Sequence, residues 1–193
     1  MTLKTGLNPI RKVGGYNAGN LTAYSAGNSV AAAMYSGQLV QITSGVVVAG
    51  ASGADNIGVV EGFQWIDSTT GQPVQSMYVP AGTSSGGELD GFTTVVAYVN
   101  DDPGQTYAIE ADGALAATTI GTFFDLDNFG AGSTFTGRAT AKLDASTTKA
   151  SPATAGTYDR SLKLIGFYDL PDNNRAGSAP YVEVRIVKPD VIS

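Results

Sequence analysis

Three features of this 193-residue chain predict a mainly β, antiparallel fold: abundant glycine, thin helix formers and short β-branched runs. Glycine accounts for 25 residues, nearly double the usual ~7%, and turn signals recur about every 8–15 residues between the runs. About nine or ten short strands in that rhythm point to an antiparallel β-sandwich or a partly closed, jelly-roll-like barrel. Helices do not alternate with strands, which argues against a parallel α/β sheet.

Taken in order, residues 1–36 have glycine at 14, 15, 19 and 27, which defeats both regular periods. They read as an extended N-terminal arm, with a short helix near 30–35 as a weak possibility. The body is expected over 37–193, as one unit or two small β subdomains. GQLVQITSGVVVAG reads as two strands about a turn at 43–45. NIGVVEGFQWID supplies a strand over 57–66, and QPVQSMYVPAG another, closed by Pro80. FTTVVAYV is the richest in β-branched and aromatic residues, and Pro103 and Gly104 stop it. QTYAIEADG alternates apolar and polar residues up to an Asp112-Gly113 turn; STFTGRATAKLD does so less cleanly. A weak helix is expected near 119–124, and ASTTKASPATAGT reads as a polar loop. LKLIGFYDLPDNN and PYVEVRIVKPD read as the closing strands.

Charge and composition restrict the function. The net charge of −6 argues against nucleic acid or an anionic membrane as partner. No run of ~18 apolar residues is present, so no membrane-spanning helix is expected. No apolar stretch follows the basic N-terminal residues, so no signal peptide is expected, and the protein is read as made in a cytosol-like compartment or released by lysis. Histidine and cysteine are both absent, which removes the usual general base, any Ser-His-Asp triad, thiol chemistry and the ligands of ordinary zinc sites. No cofactor and no catalytic residue is expected. Ser146 and Lys149 have the spacing of a serine acyl-enzyme, but in a poor helix next to Pro152. The sequence DLDNFG at 125–130 opens like a calcium loop, yet Phe129 takes the third ligand position and Thr136 stands where the bidentate glutamate belongs. Asp101 and Asp102 precede Pro103 as turn formers. A glycosidase with two carboxylates would fit the acid content, but no spacing singles out a pair.

The basic residues are unevenly placed. Lys4, Arg11 and Lys12 are three of the 11 bases, and none follows until Arg138. The intervening span holds only acids. A glycine-rich basic leader on an acidic body suggests an arm that lies across a partner, gripping with Lys4, Arg11 and Lys12 and adding the apolar contacts of Leu7 and Ile10 (with Leu3). Charged residues are only 15% of the chain, so its surface can be covered by neighbours without stranding ions.

KTGLNPIRKVGGYNAGN, FTTVVAYVNDDPGQTYAIEADG, TGRATAKLD, LKLIGFYDLPDNN and YVEVRI together resemble the capsid cement, or decoration, proteins of short-tailed bacteriophages. The YVNDDP…YxIExDG block and the GxxDxPxN block at 166–173 are the most specific parts, and the GQLVQITSG…GVVEG stretch is weaker. The resemblance implies a non-enzymatic virion protein, made in the host cytoplasm, that binds the outer head surface and clamps major capsid protein subunits. It implies a homo-oligomer, a trimer before a dimer. The residues around 149–157 have no counterpart in it. The alternative is a carbohydrate- or receptor-binding head-fibre module, with Trp65, Tyr78 and Tyr16 as sugar-stacking candidates.

Overall fold

The computed structural model describes residues 5–12, 21–151, 153–154, 157–158, 160–169, 171, 173–175 and 177–187; Lys12 and the short hairpin at 153–158 are described by backbone alone. In chain order the strands are β1 (Asn8–Lys12), β2 (Thr22–Ser25), β3 (Met34–Tyr35), β4 (Gln38–Thr43), β5 (Val46–Ala49), β6 (Asn56–Ile66), β7 (Pro73–Ser76), β8 (Tyr78–Val79) and β9 (Val96–Asn100). They continue as β10 (Gln105–Glu110), β11 (Phe123–Asp127), β12 (Gly132–Ser133), β13 (Arg138–Ala139), β14 (Lys142–Lys149), β15 (Ala153–Thr154), β16 (Thr157–Tyr158), β17 (Leu162–Phe167) and β18 (Tyr181–Ile186). Among the described residues there is no α-helix, only a 3-10 turn at Ala117–Thr119.

Two antiparallel sheets organise the molecule, an arrangement consistent with a β-sandwich and not a closed barrel. The first runs β1-β10-β18-β17-β11-β14. The second runs β2-β9-β6-β4-β5, with β7 added alongside β6. The pairs β3-β8, β12-β13 and β15-β16 are small ribbons. The first sheet curls without closing: Ala111 bridges Leu143, and the Asp112 N–H donates to the Leu143 carbonyl at 2.9 Å.

The β4–β5 hairpin follows its sequence signal. Ser44 and Gly45 have φ of 52° and 82°, so the two-residue turn has both central residues left-handed, as the twist of a hairpin requires. Neighbouring residues then point to opposite faces of the sheet. Leu39 and Val59 enter a core cluster with Tyr107, Phe124, Leu162, Leu164 and Val184 of the first sheet. Val40 and Val60 enter a second cluster with Met34, Phe63, Val79, Ala97 and Val99. The middle of the second sheet (β4, β6 and β9) is therefore covered on both faces, which explains the nearly continuous apolar runs there, while β2, β7 and the β4–β5 tip stay partly exposed.

Four local expectations are corrected. Residues 30–35 form bends and β3 in place of a helix, because Val30 and Met34 are pinned in the second cluster. The helix near 119–124 shrinks to the 3-10 turn, since Phe123 and Phe124 already pair with Lys163 and Leu162. The loop expected from 145 onward begins as β14, which extends to Lys149 against Phe123. The boundary at 36/37 falls between β3 and β4 inside one hydrogen-bonded structure: the Gly37 N–H donates to Val60 and the Leu7 N–H to Gly37. The described parts of the 1–36 segment are thus edge strands and core, with Leu7 1% and Met34 2% exposed. A sheet edge with open N–H and C=O groups, and an apolar side chain able to fill the core, together outweigh the local preference of a glycine-rich segment for irregular backbone.

Candidate interaction surfaces

Lys4 and Tyr16 lie outside the described residues, as does the side chain of Lys12. Of the remaining arm residues, Leu7 fills the first core cluster and Ile10 lies on the edge strand β1. Arg11 reaches Glu183 on β18, its Nε and Nη2 donating to the two carboxylate oxygens at 2.7 Å each. That two-pronged bond and the adjacent negative charge raise the guanidinium's pKa. The Arg11 carbonyl accepts from Thr106 Oγ1 at 2.9 Å and Gln105 Nε2 at 3.1 Å. Leu7 and Arg11, read from sequence as grips on a partner, are engaged within their own chain.

Arg138 fastens this segment. It is 8% exposed and donates from Nη2 to Asn8 Oδ1 at 2.8 Å, from Nε to the Thr5 carbonyl at 3.3 Å, and from Nη1 to Ser36 Oγ at 3.4 Å. Burial lowers its pKa, partly offset by the charge of Glu61. The planar fork serves three oxygens from two stretches of chain, which a lysine could not do.

The same residue begins β13, the return strand of the 132–139 hairpin. Gly132 lies directly on the Tyr35 ring, where any Cβ would overlap the ring atoms. Tyr35 stacks on Tyr78 with centroids 5.0 Å apart. At the turn, Gly137 has a φ of 69° and donates to the Ser133 carbonyl at 2.8 Å. This packed base displays Phe135, which is 97% exposed. Composition had not marked Phe135 as a site residue; its signal was a lone aromatic in a glycine-, serine- and threonine-rich turn.

The remaining candidates serve structural roles. Of the three sugar-stacking candidates, the two among the described residues make contacts within the chain: Trp65, partly buried, packs against the second core cluster and Tyr78 stacks on Tyr35. Asp125 is 4% exposed and turns inward, its Oδ1 accepting from the Leu126 N–H and Ser161 Oγ at 3.1 Å each. Ser161 Oγ also accepts from Asn56 Nδ2 at 3.1 Å, so the supposed calcium-loop acid joins the two sheets. Ser146 Oγ donates to Asp144 Oδ1 at 2.6 Å within β14. Among the described residues no three acidic side chains gather as metal ligands.

Charge is partitioned between the sheets. Glu61 is the only charged residue in β2, β4, β5, β6, β7 and β9. The first sheet holds Arg11, Lys12, Glu110, Asp125, Asp127, Lys142, Asp144, Lys149, Lys163, Glu183 and Arg185 on its strands. The second sheet exposes apolar side chains instead: Ile42 at the β4–β5 turn is 42% exposed and Met77 after β7 is 40% exposed.

Tyrosines tie loops to strands and set an alkaline limit. Burial, then a 2.7 Å hydrogen bond to Asp101, then that carboxylate's charge, push Tyr24 up to about 12. Burial and Asp90 push Tyr98 up to about 12. Tyr107, fully buried, is raised further. Unfolded tyrosines ionise near pH ~10. A raised folded pKa means the stabilisation is complete below pH ~10 and is lost as the pH climbs towards about 12. We expect unfolding in that window, with part of the phenolate absorbance appearing only as the fold is lost. Reversible ionisation of all nine tyrosines near pH ~10 with an intact β spectrum would contradict this.

These features define an all-β protein with a docked N-terminal strand, a nearly charge-free sheet and an exposed aromatic hairpin. No family model matches the chain, and comparison with curated proteins and with solved structures returned no match.

Proposed function

We propose that the protein is a non-enzymatic capsid cement protein that binds the outer surface of a short-tailed phage head and braces neighbouring major capsid protein subunits. The observation that carries this reading is the uncharged exposed margin of the second sheet, the β4–β5 tip and β7. Solitary β proteins usually guard exposed sheets and edges with lysine or other charges. Here β4, β5 and β7 carry none, while Ile42, Thr43 and Gly45 stand exposed at a hairpin tip. Such a surface can be buried without desolvating an ion. The resemblance read from the sequence suggests the partner. The charged first sheet would then face solvent, and many copies making modest contacts would add binding free energy to the closed shell.

The test is decoration of head shells lacking the protein. The wild type is expected to bind in numbers on the scale of the lattice, not of a single vertex. Replacing Ile42 and Val46 by lysine should lower affinity about tenfold or more, the equivalent of ~1.4 kcal/mol, with the melting temperature nearly unchanged. Failure of the wild type to decorate would reject the cement reading. Equal decoration by the double variant would remove the β4–β5 turn from the contact. On a glycan array the cement reading expects no specific hit, and a hit would favour the head-fibre alternative.

A further inference from the structure

We propose that the outer face of the first sheet docks an acidic segment of a partner protein, whose aspartate and glutamate carboxylates lie along one row of cations. The strand registers set that row. Arg11 stands opposite Thr106, Thr106 opposite Arg185, Arg185 opposite Lys163, Lys163 opposite Phe123, and Phe123 opposite Lys149. Residues directly opposite on neighbouring strands share a face. That face is the outer one, because Lys163 is flanked by the buried Leu162 and Leu164, and Arg185 by the buried Val184 and Ile186. Four of the chain's 11 bases thus fall in one line, in a protein of net charge −6.

Arg185 and Lys163 form the centre of the row. Like charges directly opposite each other destabilise a sheet, and a chain with 17 acids has no shortage of counter-charges. Yet the acids two positions along on β18 and β11 are committed elsewhere. Glu183 takes both donors of Arg11 at 2.7 Å, and Asp125 is 4% exposed and bonded by Ser161. Among the described residues neither Arg185 nor Lys163 forms a salt bridge; Lys163 Nζ sits 5.5 Å from the centroid of the Phe123 ring instead. A local arrangement that opposes stability marks a site kept for a ligand. The length of the row and the charge of the protein select that ligand. The row runs roughly 24 Å across the six strands, too long for one small anion and suited to several carboxylates on one chain. Duplex nucleic acid, with a charge every ~1.7 Å, would be repelled by the acidic remainder of the protein. The half-buried Phe123, between Lys163 and Lys149, offers an apolar seat to the methylenes of a glutamate. The docking surface uses no residue of the second sheet. It does not rest on the capsid reading, and it is tested in the purified protein without shells.

The experiment is fluorescence anisotropy of a labelled octaglutamate peptide titrated with the full chain. Wild type should bind at ~0.01 M salt and lose most of that affinity at ~1 M, where the Debye length falls from ~30 Å to ~3 Å. Changing Arg185→Gln and Lys163→Gln together should weaken binding about fivefold or more. The melting temperature of that variant should stay level or rise by ~1–2 °C, because the facing charges are gone. Changing Lys142→Gln and Arg175→Gln removes the same charge away from the row and should leave the affinity within about twofold of wild type. Carbodiimide coupling should join peptide carboxyls to Lys163 or Lys149, as read by mass spectrometry. A wild type that does not bind, equal weakening by the two double variants, or tighter binding of duplex DNA than of octaglutamate would each overturn the proposal. A marked fall in the melting temperature of the Arg185 and Lys163 variant would do so too, by assigning the pair to the fold.

Discussion

Truncation of residues 1–12 will cost the protein much of its stability, as will the single change Leu7→Ala. Leu7 is 1% exposed among Tyr107, Leu143 and Leu162-class side chains of the first core cluster. Emptying such a site costs about 2–5 kcal/mol, against a total stability of ~5–15 kcal/mol for a typical domain. In a chain of this size that corresponds to a melting temperature lower by roughly 5–15 °C. The truncation adds the loss of β1. It opens the edge of β10, removes the carbonyl that Gln105 and Thr106 bond, and takes both guanidinium donors from Glu183, which is 8% exposed. A truncated protein that melts within ~2 °C of the full chain, with the same spectrum, would mean that β1 is not part of the stable fold.

Arg138→Met should rank next. The change keeps apolar bulk but removes every donor to the Thr5 carbonyl, Asn8 Oδ1 and Ser36 Oγ. Hydrogen bonds from a charged donor are worth about 1.5–3 kcal/mol each at best, and these three share one partly shielded group, so we expect a total near ~2–4 kcal/mol. Arg138→Lys should recover little of it, because a point charge cannot address three oxygens in fixed directions. The distinguishing readout is limited trypsin digestion. If Arg138 fastens β1, cleavage after Arg11 and Lys12 should accelerate in both variants before the body is cut. Unchanged cleavage there, together with a lowered melting temperature, would show that Arg138 supports only the hairpin base.

Much of the strand content was legible from local chemistry. The β4–β5 turn could be read because Ser44-Gly45 tolerates left-handed backbone between two β-branched runs. β6 and β10 could be read from their apolar content. The polar strand β14 could not, since ASTTK has no apolar alternation and pairs only because β11 offers an edge. Phe135 was passed over for a related reason: exposure is a property of what surrounds a residue. The described part of the candidate arm joins a sheet edge, which glycine content, a measure of backbone freedom, does not foretell.

The basic residues show the division most plainly. Sequence alone established the strand-rich class, the lack of histidine and cysteine chemistry, and the 125-residue span from 13 to 137 without a base. It could not say what that span separates. All six strands of the second sheet, a nearly charge-free layer, lie within it, while six of the 11 bases, on either side, fall on the first sheet: Arg11 and Lys12 on β1, Lys142 and Lys149 on β14, Lys163 on β17 and Arg185 on β18. Arg11 meets Glu183 across 172 positions of chain because β10 pairs with both β1 and β18. Strand order, set by which edges and apolar faces fit together, brought distant charges into one layer; no local pattern in the sequence encodes that order.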